Sequence, residues 1–280
     1  SSGKAGNSTT LSWGTLLNDA SRRNYEPRDF FDTGITYTNS ITLSTRTDKN
    51  QTFFSAAAVN SEGIVPNNRY NRFNFTFRNT TNFLNDRMKL DVGASYIIQN
   101  DRNMTNQGAY SNPIVPVYLF PRGDDFSKYQ YYERYDVDRN IKTQFWPLKE
   151  NGLSMQNPYW ITNRNMYTNK KDRFLASGSL KYTITDWLNV SGRVKLDKET
   201  INSEKKMYAS TLNVIAENSD KGAYVQSNKN TSQIYADAML NINKYFYHDT
   251  WNLTASLGAS LLDLDYKELN FGGGLLTIPN

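Results

Sequence analysis

The segment "GDDFSKYQYYERYD", followed by Trp146 and "NPYW", gathers Tyr129, Tyr131, Tyr132, Tyr135, Trp146, Tyr159 and Trp160 into one stretch of chain. Flat aromatic faces beside carboxylates and amides suit sugar rings, whose C–H faces stack while their hydroxyls hydrogen-bond. Tyr129, Tyr131, Tyr132, Trp146, Tyr159 and Trp160 are therefore the candidate residues for binding a substrate or a partner. The same rings could instead pack the segment into a small core of its own, or against a partner. Pro113, Pro116, Pro121, Pro147 and Pro158 favour an ordered segment, because proline lowers the entropy lost on fixing the chain.

Other chemistry has less support. Asp124 and Asp125 supply the oxygen ligands that Ca²⁺ prefers. The fuller D-x-[DN]-x-[DN]-G pattern is missing, so a solvated turn is expected and no metal or other cofactor. His248 is the sole histidine; Asp249 adjoins it, but no nucleophile pattern accompanies them, so no catalytic residue and no enzyme is expected. "FGGGLL" (271–276) lacks the phosphate-cradling pattern and reads as a flexible turn. With no Cys there are no disulfides or thiolate metal sites. The net charge of +5 comes from dispersed Lys and Arg without a block or helical stripe, so nucleic acid is not an expected partner.

The elements that must hold these residues are strands. In "RMKLDVGASYIIQN" Met88, Leu90, Val92, Ala94, Tyr96 and Ile98 leave one side of an extended chain, and Lys89, Asp91, Gly93, Ser95 and Gln99 the other. Similar alternation marks residues 35–46, 69–79, 172–185, 187–199, 232–243 and 251–261, with a less decisive strand at 51–60, about eight strands in all. Charged residues such as Arg72, Arg78, Arg173, Lys181, Arg193, Asp197 and Asp237 fall opposite the apolar series. No run approaches the ~18–20 apolar residues of a membrane helix. Mean hydropathy is -0.69, yet 14% of residues are aromatic. That combination suits a membrane β-barrel, where only alternate residues meet lipid and aromatics mark the interfaces. The strands also reach the ~9–11 residues that a tilted crossing needs.

Short connections ("TDKN", "FLND", "TD", "KYFYHD") alternate with long ones, as in a barrel with periplasmic turns and extracellular loops. Aromatics beside the short turns, among them Phe83, Trp187, Tyr245 and Trp251, would form the periplasmic girdle. The expected layout is a loop-like lead-in over 1–34, strands over 35–100, a long extracellular loop over 101–171, strands over 172–266 and a loop over 267–280. Asp263 and Asp265 mark where the last strand leaves the hydrocarbon. About eight strands with so long a loop are expected of an internal piece of a larger barrel. A soluble antiparallel β module that binds carbohydrate is the alternative.

"FFDTGITYTNSITLSTRTDKNQTFFSAAAVNSEGIVPNNRYNRFNFTFRN" resembles the barrel of SusC/RagA-type TonB-linked outer-membrane transporters. Glu62, Gly63, Ile64, Val65 and Pro66 resemble that family's E-G-I-[IV]-P loop, and Arg72, Phe73 and Asn74 its R-[FY]-N strand. "QNPYW" and the hairpin "DRFLASGSLKYTITDWLNVSGRVKLD" look like its N-P-Y-W loop and the hairpin after it. The resemblance covers most of residues 28–200. It implies a 22-stranded antiparallel barrel in the bacterial outer membrane, around a plug domain, with a SusD-like lipoprotein lid, TonB as energy source and outer-membrane lipid as surroundings. The plug domain and TonB box are expected outside these 280 residues. The implied cargo is an oligosaccharide, toward which the loop aromatics lean, with an oligopeptide as the alternative.

Overall fold

The computed structural model describes residues 25–104, 108, 110–121, 123–147, 155–247 and 250–279. After a single helical turn at Pro27–Phe30 come β1 (Ile35–Arg46), β2 (Asn50–Glu62), β3 (Arg69–Phe83) and β4 (Met88–Arg102). The next segment carries a short helix (Ile114–Leu119), a turn (Ser127–Gln130), β5 (Glu133–Asp136), β6 (Ile141–Gln144) and a second short helix (Pro158–Arg164). Then follow β7 (Asn165–Thr185), β8 (Leu188–Tyr208), β9 (Gly222–Phe246) and β10 (Trp251–Gly274). The eight long strands make one antiparallel sheet in the order β1-β2-β3-β4-β7-β8-β9-β10, while β5 and β6 pair only with each other. This is the all-β architecture that the alternation implies.

Register gives the sheet two unlike faces. Directly opposed residues carry an apolar row from Leu43 through Phe54, Phe77, Ala94, Ala176 and Leu196 to Ile234. On the other face, a row runs from Thr80 through Asp91, Ser179 and Arg193 to Asp237. The apolar face is exposed across the whole sheet; Leu257 is 73% accessible, and Leu43, Phe77, Phe174 and Val194 are exposed with it. A water-soluble monomer rarely leaves so large an apolar surface open, whereas hydrocarbon would cover it. The polar face is the concave one, with a cleft of about 1060 Å³ lined by Arg78, Asp91, Lys181, Arg193 and Asp197 among others.

Successive partners of the apolar row stand farther and farther from their tight turns. Leu43 is close to the turn at 47–49, Phe77 is farther from 84–87, Ala176 is farther still from 186–187, and Ile234 lies well away from the end of β9 at Phe246. This stagger is what strand tilt does to register in a sheet curling toward a barrel. Ile234 therefore pairs with Asp263, and the row leaves its apolar zone at that point.

Strand ends differ from the sequence reading. β7 begins at Asn165 rather than near 172, β10 continues past Asp265 to Gly274, and the connection after β8 shrinks to residues 209–221. Above the lipid both faces are wet, so alternation stops although the hydrogen-bonded ladder continues. The long loop also holds two short helices and a hairpin.

Ala94 and Ser95 share one depth on β4 and point to opposite faces. Ala94→Arg should cost about 2–4 kcal/mol of folding stability in lipid bilayers, against less than about 1 for Ser95→Arg. Denaturant titration of the two refolded variants measures the difference, and equal losses would contradict this assignment of faces.

Candidate functional site

The long connection folds into a cap over the end of the sheet opposite the tight turns. Its core is a ring cluster: Tyr25, Phe30, Phe120, Phe126, Tyr129 and Trp146 are buried with Val65 and Val117. Tyr25 stacks on Phe126 with centroids 4.2 Å apart, and Phe120 meets Tyr129 edge-on at 5.5 Å. Such pairs add to area burial through ring quadrupoles.

Buried amides tie this core to the strands. Asn157 precedes the helix Pro158–Arg164, and Asn followed by Pro is a helix-start signal. Its Oδ1 accepts from Tyr159 N (2.8 Å) and Trp160 N (3.4 Å). Its Nδ2 donates to the carbonyls of Tyr129 and Phe145, both at 2.8 Å. Gln156 Nε2 reaches Tyr110 O at 2.9 Å, and Gln156 Oε1 accepts from Leu212 N at 3.0 Å. Gln144 Nε2 donates to Ser210 O at 2.7 Å. Side chains from the helix and the hairpin thus hold the 209–221 connection, which re-enters β9 at Gly222. There φ is +94°, and a Cβ would lie 2.3 Å from Met207 O.

Glu133 makes the ionic fastening of the cap. It takes Lys142 Nζ at 2.6 Å and Arg164 Nε at 2.7 Å, joining the β5–β6 hairpin to the helix. Arg164 also lies 4.7 Å over the Tyr208 ring. Burial pushes the Glu133 carboxyl up, but the hydrogen bonds from Lys142 and Arg164 outweigh it and hold it below the usual carboxylate range.

The six sequence-derived site residues separate by exposure. Trp160 is 0% exposed and donates its indole N–H to Thr211 Oγ1 at 3.0 Å. Tyr129 and Trp146 are buried in the ring cluster, and Tyr159 packs half-buried on Phe30 at 5.1 Å. These rings build the cap, and the buried faces of Tyr129, Trp146 and Trp160 are not open to stacking. Tyr132 is half-buried near Arg164, and Tyr131 is 81% exposed. Exposed Tyr135 bonds Asn140. Asp124 faces Lys128 Nζ at 3.1 Å, and Asp125 accepts from Ser127 N at 2.9 Å, so both carboxylates serve the turn. His248 and Asp249 lie outside the described residues. Gln144, Gln156, Asn157, Asn165 and Thr211 were not singled out from sequence; only the Asn-Pro step of "QNPYW" carried a readable signal.

Below the cap, the concave face is studded with ions. Arg78 meets Asp91 at 2.9 Å, Arg193 meets Asp237 at 2.7 Å, and Lys171 meets Glu199 at 3.1 Å; Arg173 pairs with Asp197. Lys89 and Lys181 oppose one another across β4 and β7, and neither has an ion-pair partner among the described residues. Such a surface suits a wet interior that polar matter can enter.

No family model matches the sequence, and no curated protein matches it. Among solved structures, the chain is similar to the RagAB peptide transporter at 14% identity and TM-score 0.60, covering 87% of this chain and 26% of that one. It is also similar to the RagAB peptide importer in the "closed-closed" state (14% identity, TM-score 0.58, 87% and 26% covered). The "open-open" state gives 14% identity and TM-score 0.54, with 86% and 29% covered. The chain spans about a quarter of the length of those chains. The likeness establishes the fold, an antiparallel transmembrane β-barrel segment whose sheet is open here.

Asn157→Asp keeps the helix cap but removes both donors and sets a carboxylate against two carbonyls. The cap should lose about 3 kcal/mol, seen as faster proteolysis near residue 145 with the sheet intact. Unchanged proteolysis would remove Asn157 from its central place. For Glu133, a folded-state value below the unfolded one means stability present above the unfolded value and lost as pH falls through the folded value. The protection factors of the β5 and β6 amides, corrected for the intrinsic exchange rate, should therefore fall on acidification below the ordinary carboxylate range. In Glu133→Gln they should already be low and should not change over that range.

Proposed function

We propose that this chain is part of the barrel wall and extracellular cap of a TonB-dependent outer-membrane importer of the SusC/RagA type. The observation that carries the reading is the pairing of an exposed apolar convex face with an ion-lined concave face, capped at one end by a folded loop. One face suits lipid, the other a wet passage, and the cap suits a place where cargo or a lid is met. The sequence resemblance and the likeness to a peptide transporter support it. A SusD-like lipoprotein on the cap side and TonB acting through segments outside this chain belong to the same proposal.

The cargo we infer is an oligopeptide. The lean toward oligosaccharides rested on ring faces, and those of Tyr129, Trp146 and Trp160 are buried in the cap. The paired and unpaired ions of the concave face suit a zwitterionic, amide-rich cargo. Oligosaccharide import is the second reading, favoured by the exposed rings of Tyr131 and Tyr135. A glycosidase or other enzyme has no support in these residues.

Topology and cargo are separately testable in the complete protein. Ser127→Cys should react with an impermeant thiol reagent on intact cells, and Asp48→Cys, in a tight turn, only after the outer membrane is opened; the reverse would overturn the orientation. Purification from native membranes should require detergent and return peptides and a lipoprotein by mass spectrometry. Glycans without peptides would select the second reading, and recovery in plain buffer would overturn the barrel.

A further inference from the structure

The cleft on the concave face is uneven in charge. Arg78, Lys89, Lys181, Arg193 and Lys195 line it, against two carboxylates, Asp91 and Asp197. Both carboxylates are engaged by arginine: Arg78 meets Asp91 at 2.9 Å, and Asp197 pairs with Arg173, outside the lining. Arg193 is met by Asp237 at 2.7 Å. Lys89, Lys181 and Lys195 are exposed, and no ion pair or side-chain hydrogen bond reaches them among the described residues. Lys89 of β4 and Lys181 of β7 stand directly opposed in the ladder. Like charges so placed destabilise a sheet. Beside them the floor of the cleft is short: Gly93, Ser95, Ser177 and Ser179. Ser177 opposes Gly93 and Ser179 opposes Asp91, so no bulky side chain fills the space above those rungs.

Surplus cations around a low, hydroxyl-bearing floor call for carboxylates, which accept from ammonium and hydroxyl groups alike. One carboxylate can serve Lys89 and Lys181 together. Lys195 lies farther along β8 than Ser191, the partner of Lys181, and needs another. The ligand is therefore extended and acidic. Position points to its source. Lys89 follows the first residue of β4, and Lys181 is near the end of β7, beside the tight turns and remote from the cap. The repulsion there is present at all times, so a resident group answers it better than a passing cargo. The ion pairs nearer the cap, Lys171 with Glu199 and Arg173 with Asp197, remain for cargo. The solved chains of similar fold are far longer, this chain covering 26% of the RagAB one, so a complete protein of that length has ample chain to supply the group.

We propose that an acidic segment of the complete protein, outside these 280 residues, lies in this cleft with its carboxylates on Lys89, Lys181 and Lys195. The proposal rests on the barrel-wall reading and names what the wall holds on its inner side. Its test is zero-length carbodiimide coupling of the complete protein in detergent, with the joined peptides read by mass spectrometry. Lys89, Lys181 or Lys195 should be found in amide linkage to an Asp or Glu outside these residues. In Lys89→Glu/Lys181→Glu the coupling of Lys195 to that segment should fall about tenfold, because cations facing it have become anions. Lys89→Arg/Lys181→Arg should keep the coupling, and circular dichroism checks that both variants retain the sheet. Should the Glu variant fail to assemble, the wild-type linkage decides alone. Linkage only to Asp91, Asp197 or Asp237, linkage to a bound peptide, or none at all would overturn the docked segment and leave the barrel wall standing. Recovery of the complete protein in plain buffer would overturn the barrel wall and the docked segment together.

Discussion

Everything in this chain depends on strand register. Side chains alternate with a period of two, so a slip of one residue would send a strand's ions into the apolar face and its aliphatic groups into the wet one. The pairing holds without shift through the long ladders, the only recorded irregularity among the described pairs being between Thr183 and Thr185 beside a tight turn. Charge pairs on the concave face reinforce it. Arg193 and Asp237 are directly opposed, so their contact exists in one register only. Arg78 reaches Asp91 diagonally, Asp91 standing opposite Thr80. Each pair on a surface contributes little stability, typically about 0–1 kcal/mol. As markers of alignment they discriminate more than they stabilise.

From register follow tilt and height. The stagger that carries the apolar row from Leu43 toward Ile234 also lifts the later strands away from the lipid zone. β9, with 25 residues, is more than twice the ~9–11 residues a crossing requires. The excess rises as a freestanding wall, and the tops of β7 and β8 become the floor on which the cap rests. Asn165 and Met207, which are paired there, belong at once to the ladder and to the lining of a cavity under the cap. The cap is thus seated on protein and not on lipid.

The legible part of this architecture was the part in contact with hydrocarbon. Phe73, Phe75 and Phe77 alternating with Asn74 and Thr76 announce a strand, because lipid forces alternate residues to be apolar. Beyond the lipid that demand ends. "SEKKMY" closes β8 and "GAYVQSNKN" opens β9 without a clean apolar series, so a period-two reading stops short of the ladder. The cap was legible as an aromatic-rich ordered loop, but the direction its rings face was not. Burial of Trp160 depends on Thr211, distant in sequence and carrying no pattern of its own. Asn165, whose Oδ1 accepts from Thr211 Oγ1, was equally silent, since an asparagine at a strand start reads as turn chemistry.

The stitches of the cap are mostly uncharged. Gln144, Gln156 and Asn157 bind carbonyls and amides with groups that neither titrate nor gather counterions. Dissolved salt screens charges within about 8–10 Å at ordinary ionic strengths, and it has little to act on in such contacts. A cap facing the outside medium would thus keep its interior arrangement in dilute and in briny surroundings alike. The ion pairs of Glu133 with Lys142 and Arg164, of Asp124 with Lys128 and of Glu217 with Lys205 are the ionic fastenings that salt would loosen.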